Sequence, residues 1–221
     1  MKKVLLIVVS IIFLSFNVQT QDVEASGPDQ SATAAVTSVD DLVTYLKFVG
    51  GDEAFETLKQ IEALSEVDRK KLDELLGNPE KLLASMNNPD NYTEETVYLY
   101  KEDSAISNVS VTAITRPKFS AFGIDFIIYE LVGKFRVDNG RRYIISSTSI
   151  DGYVVRKWLP QVSTKVINKN MASSTSGLYH GKVRFSYDLG VGNWGVIRVG
   201  TISTGVMSTP AGKVTGYLHR D

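Results

Sequence analysis

Two hydrophobic rhythms divide this chain. Between residues 39 and 86 apolar side chains recur three and four positions apart, the spacing of one helix face; beyond residue 94 they recur at every second position, the spacing of a strand. In the first stretch Val39, Leu42, Val43, Leu46 and Val49 share a face that Gly50 and Gly51 terminate, and Ser38 is placed to cap it. A second helix carries Phe55, Leu58, Ile61 and Leu64 behind Asp52 as its cap. A third carries Val67, Leu72, Leu75 and Leu76 behind Ser65. Gly77 suits a left-handed helix end, and Pro79 suits the first position of a short fourth helix bearing Leu82, Leu83 and Met86. The segment NNPDNYTEE, residues 87 to 95, reads as the hinge between the helical and the strand-forming parts.

The strand rhythm is cleanest in KVRFSYDL. Val183, Phe185, Tyr187 and Leu189 fall on one face, and Lys182, Arg184, Ser186 and Asp188 fall on the other. Two dipeptides, Asn139-Gly140 and Asp151-Gly152, lie between apolar runs and are two-residue hairpin signals. Together they predict a three-stranded meander over residues 124 to 138, 141 to 150 and 153 to 159. Two-residue turns fix register: Asp138 then pairs with Arg141, Arg136 with Tyr143, Ile150 with Tyr153 and Ile145 with Trp158. One face collects Lys134, Arg136, Arg141, Tyr143, Arg156 and Trp158 around Ile145. The other, the expected core, holds Leu131, Phe135, Val137, Ile144, Ile150, Tyr153, Val155 and Leu159, with Arg142 and Lys157 near its ends.

The fold class expected is α+β, a small N-terminal α-helical module followed by an antiparallel β-sandwich or open β-barrel. Its boundaries are residues 39 to 90 for the helices and 94 to 221 for the strands. Ahead of them, Lys2 and Lys3 precede an apolar run of about 13 residues, shorter than the roughly 20 a spanning helix needs. Val23 and Ala25 supply small residues for cleavage, so residues 1 to 25 read as a signal peptide and the protein as secreted and extracellular. Residues 26 to 38, small and polar, read as a disordered leader. The chain of 221 residues has no cysteine, so an exported fold must hold without disulfides. Such export is commonplace in Gram-positive-type bacteria, the source adopted as a hypothesis.

A net charge of −1 conceals a polarised chain. Residues 26 to 103 carry 17 acidic and 7 basic side chains, whereas residues 104 to 221 carry 6 acidic and 15 basic. That asymmetry points to an anionic partner, an internal one, or both. Guanidinium forks and ammonium groups take phosphate or carboxylate, and flat rings stack on sugars or bases, so Lys134, Arg136, Arg141, Tyr143, Arg156 and Trp158 form the candidate binding face. The bland alternative is a solvated outer sheet face with Trp158 covered by another strand.

Enzyme signatures are sparse. GVGNWG at 190 to 195 matches G-x-G-x-x-G, but the β-branched residues after it oppose the helix a dinucleotide site requires, so no dinucleotide is expected. The glycines read instead as a hairpin. His180 and His219 lack zinc-ligand spacing, and no metal or cofactor is expected. His219-Arg220-Asp221 imitates a kinase triplet without its context. GVIRVGTISTGVMST, residues 195 to 209, has the composition of an inserting strand but lacks a mate. The function expected is a secreted non-enzymatic binding protein, of the kind an antagonist of other cells would deploy. Its basic aromatic face engages an anionic cell-envelope polymer or membrane surface and is masked by the intramolecular acidic module. The alternatives are a secreted hydrolase using His180 and a passive extracellular surface or matrix protein.

Overall fold

The structure is a computed structural model, and it describes residues 35 to 102, 108 to 138, 140, 142 to 173, 177 to 190 and 196 to 220. The segment read as a signal peptide, most of the leader, and Arg141 lie outside the described residues. Four helices, α1 (Val39–Val49), α2 (Asp52–Glu62), α3 (Glu66–Leu76) and α4 (Pro79–Met86), precede eight strands. These are β1 (Tyr92–Glu102), β2 (Asn108–Ala121), β3 (Ile124–Asp138), β4 (Ile144–Lys157), β5 (Val162–Ser173), β6 (Tyr179–Gly190), β7 (Val196–Ser208) and β8 (Val214–Arg220). The α+β class is as expected, and the β part is a sandwich of two antiparallel four-stranded sheets, β1-β2-β3-β4 and β5-β6-β7-β8. Among the described residues no helix is long and apolar enough to cross a membrane.

Local chemistry explains the helix ends. Ser38 and Ser65 accept hydrogen bonds from the amides of Asp41 and Asp68, and Asn78 caps α4 with Pro79 following. Gly50 and Gly51, at φ 67° and 85°, make the reversal between α1 and α2 in a backbone region only glycine enters freely. Two expectations are corrected. Gly51, not Asp52, is the N-cap of α2, because Asp52 is already helical. Gly77 is right-handed at φ −77°, and its requirement is space: a Cβ there would lie 3.2 Å from the carbonyl oxygens of Asp73 and Thr37.

Helices and sandwich belong to one compact unit, Ala34–Asp221. Leu42, Leu46, Leu72, Leu82 and Met86 join the buried core. The joint is hydrogen-bonded at one end of the sandwich. The Gln161 carboxamide accepts from Val36 N at 3.3 Å and donates to Val36 O at 2.7 Å, while the Tyr187 hydroxyl meets Asn87 Oδ1 at 2.8 Å. Trp158 N donates to Phe126 O at 2.8 Å where the chain turns from the first sheet into the second.

The meander itself is corrected. β4 does not reverse at Asp151-Gly152 but runs through it, with Val132 opposite Asp151 and Leu131 opposite Gly152. The reason is packing between sheets: a Cβ on Gly152 would lie 2.5 Å from Val183 Cγ1 and 2.9 Å from Phe185 Cζ, so this glycine gives space to the facing sheet. Continuity inverts the parity of the residues that follow it, up to a bulge at Val155. Leu131, Phe135, Val137, Ile150 and Leu159 are buried as expected, but Tyr153 and Val155, expected in the core, are 52% and 51% exposed. The first reversal is also looser, since Asp138 N donates to Tyr143 O at 3.2 Å and closes a four-residue loop. At the second glycine cluster, Gly190 pairs with Val196 and a strand follows, as the hairpin reading requires and a dinucleotide turn does not. β7 is paired on both sides, by β6 and β8.

Gly152→Ala is expected to lower stability by about 1–3 kcal/mol, the cost of overpacking a filled interior. Urea denaturation measures it, and a variant as stable as the parent would contradict the close approach of the two sheets.

Candidate functional site

Parity along β3 decides which of its side chains meet solvent. Phe135 and Val137 point into the core, so Lys134 and Arg136 point out. On β2, Thr112 stands opposite Lys134 and Ser110 opposite Arg136; on β4, Ser149 stands opposite Lys134 and Ser146 opposite Arg136, with a register shift between. Ser110, Thr112, Lys134, Arg136, Ser146 and Thr148 line a shallow groove of about 430 Å³. Its floor is the backbone of three strands and its walls are hydroxyls. Ser147, opposite Phe135, turns its Oγ to the core side, where it is buried without a hydrogen-bond partner among the described residues.

Electrostatics single out this end of the sheet. Elsewhere on the same outer face the cations are neutralised: Arg116 Nε lies 2.6 Å from Glu130 Oε2, and Lys118 Nζ lies 3.2 Å from Glu95 Oε2. Lys134 and Arg136 have no ion-pair partner among the described residues. Two uncompensated charges two positions apart sit about 7 Å from each other along the strand.

The loop beside them is held by Asp138, 6% exposed. Its carboxylate accepts from the amides of Gly140 at 3.1 Å, Arg142 at 2.5 Å and Tyr143 at 2.8 Å, and from Arg142 Nε at 3.3 Å. Burial works to raise its pKa, but the Tyr143 and Arg142 amides and the Arg142 guanidinium outweigh it and hold the carboxyl below its ordinary value. Tyr143 is thereby fixed at the rim with its ring exposed.

The six residues expected on one face are not together. Lys134, Arg136 and Tyr143 share one end, and Arg141 lies outside the described residues. Arg156 is opposite Ile128, eight positions from Arg136 on β3, or roughly 25 Å away. There its Nε pairs with Glu53 Oε2 at 3.0 Å, and its guanidinium lies 5.6 Å from the ring centre of Trp158. Trp158 is only 7% exposed, and its indole N–H has no hydrogen-bond partner among the described residues. The cause is the continuous β4, which carries these two residues away from the Asp138 loop. Sequence reasoning missed the hydroxyls of Ser110, Thr112, Ser146 and Thr148. Their signal was present in the polar alternation of VSVT and in the run SSTS.

His180 lies on the outer face of β6, opposite Ala172 and Met207. No hydrogen bond joins it to a carboxylate or hydroxyl among the described residues, and residues 174 to 176 of the neighbouring serine-rich stretch lie outside them. Among the described residues no group of three His, Asp or Glu side chains is placed to hold a metal ion.

Asp138→Ala is expected to destabilise the protein at neutral pH and to flatten its acid limb. A carboxylate whose folded pKa is depressed stabilises fully above its unfolded value near 3.9, and that contribution is lost as pH falls through the lower, folded value. Urea midpoints at pH 7 and pH 3 test this; a parent-like drop in the variant would contradict the assignment.

Comparison of the chain with protein-family models, with curated proteins and with solved structures finds no match in any of the three.

Proposed function

We propose that the protein is an exported, non-enzymatic binding protein that holds a phosphate-bearing cell-envelope polymer in the groove around Lys134 and Arg136. The observation that carries this reading is selective: these two cations, set among hydroxyls, lack ionic partners among the described residues, while Arg116 and Lys118 on the same face are paired. A guanidinium fork grips phosphate through two parallel bonds, and the ammonium supplies a second charge. Serine and threonine hydroxyls both donate and accept, so they satisfy bridging and sugar oxygens without demanding one ligand orientation. Tyr143 stands at the rim, where its ring can cover a ligand unit.

The acidic helices are joined to the β-sandwich by the Glu53–Arg156 ion pair at the opposite end of β3. In this reading the groove is open in the folded chain, and masking plays no part. Arg156 and Trp158 leave the binding face and become part of the helix joint.

Binding of the full chain to soluble poly(glycerol phosphate), followed by calorimetry, tests the reading. A charge-assisted hydrogen bond contributes about 1.5–3 kcal/mol, so Lys134→Glu with Arg136→Glu is expected to weaken binding by a factor of ten or more. Affinity should also fall with added salt. Lys47→Glu with Lys59→Glu, the same charge change on the helices, is expected to have little effect. Equal loss from both pairs, or binding only to phosphatidylglycerol vesicles, would overturn the proposal.

A further inference from the structure

The outer face of the second sheet carries a second polar groove, built differently from the first. Arg184 and Lys182 alternate with buried Val183 and Phe185, so strand parity directs them outward. On β5 a bulge at Ile167 shifts the register by one, and this brings Asn168 opposite Arg184 and Asn170 opposite Lys182 on that same face. The four side chains line a groove of about 200 Å³. Neighbouring strands are spaced about 5 Å apart and alternate residues about 7 Å, so the four groups stand at the corners of a rectangle comparable to one sugar ring.

The next positions continue the surface. Lys182 stands opposite Gly205 on β7, and Gly205 stands opposite Tyr217 on β8. The Tyr217 ring lies where a Cβ on Gly205 would be, so the glycine lets a phenol lie across the sheet beside Lys182. Burial of that phenol pushes its pKa up. Opposite Lys182 stand Asn170 on β5 and Gly205 on β7, so among the described residues no carboxylate shares its row. Lys182 has no ion-pair partner among the described residues.

We propose that this face is a binding site for an acidic saccharide, a sugar unit bearing a carboxylate. Each asparagine carboxamide offers a donor and an acceptor, the complement of adjacent sugar hydroxyls. Lys182 takes the carboxylate, and the phenol borders the ring. A bare anion would use the ammonium and leave the two carboxamides idle, and a single-stranded nucleic acid would need a succession of rings to stack on; among the described residues the Tyr217 phenol alone borders Lys182 in this way.

The site stands apart from the Lys134 groove, on the other sheet, and its test separates the two. Titrate the full chain with a tetramer of α-1,4-linked galacturonic acid, its methyl ester, inorganic phosphate and a thymidine tetranucleotide. The free acid is expected to bind. Lys182→Ala and Asn170→Ala should each weaken it by about tenfold, the loss of one hydrogen bond to the ligand, while Lys213→Ala and the Lys134/Arg136 variant leave it unchanged. Amide shift changes in the unaltered protein should centre on Asn168, Asn170 and Gly205, a readout that does not depend on any variant folding. Equal binding of the methyl ester would overturn the acidic class. Equal binding of phosphate or of the thymidine tetranucleotide, loss at Lys182 without loss at Asn170, or no binding at all would overturn the saccharide site.

Discussion

The fold depends on an interlock in which glycines of each sheet give room to large side chains of the other. Gly133 and Gly181 leave space for the Tyr179 ring, and Gly152 leaves space for Val183 and Phe185. The vacated volume is filled: Tyr179 stacks on Phe135 with centroids 4.6 Å apart and planes 16° from parallel, and its hydroxyl donates to Ser149 O at 2.9 Å. Ile150 Cδ1 lies against Gly181. A turn at Asp151-Gly152 would withdraw the strand from this contact. Exposing Phe135 and Phe185 would cost about 1.5–3 kcal/mol each, more than the preference of one dipeptide for a tight turn can offset.

That constraint reaches the surface by parity. Because β4 is continuous, Tyr153 and Val155 face solvent and Arg156 and Trp158 travel to the end where the helices dock. Only Lys134, Arg136 and Tyr143 remain beside the Asp138 loop, and the hydroxyl run of β4 comes to face them. The charge asymmetry of the chain contributes little to the joint between helices and sandwich. Its ion pair there, Glu53–Arg156, has a glutamate side chain 60% exposed, and such pairs are worth about 0–1 kcal/mol. Burial of Leu42, Leu46, Leu82 and Met86, with the paired bonds between Gln161 and Val36, holds the joint instead.

Much of this was legible from local signals. The four helices, their serine caps, Pro79 at the start of α4, and the outward parity of Lys134 and Arg136 all follow from spacing within one element. What was not legible depended on partners distant in sequence. Asp151-Gly152 has the chemistry of a hairpin turn and also that of a tight crossing beneath Val183 and Phe185, and nothing near residue 151 distinguishes them. Gly77 shows the same ambiguity on a smaller scale, since its space is claimed by Thr37 O. The serine-lined groove was overlooked because hydroxyls carry no charge signal of their own. They acquire meaning only when register sets them across from Lys134 and Arg136, two cations with no ion-pair partner among the described residues.

The continuity of β4 is the claim on which the placement of the Lys134 groove and the helix joint rests. Nuclear Overhauser contacts across β3 and β4 test it directly. A continuous strand predicts contacts between Val132 and Asp151 and between Leu131 and Gly152, with the alternate amides of residues 150 to 154 that face β3 exchanging slowly as members of a ladder. Contacts between Ile150 and Tyr153 facing each other across a two-residue turn, with a freely exchanging Gly152 amide, would contradict it.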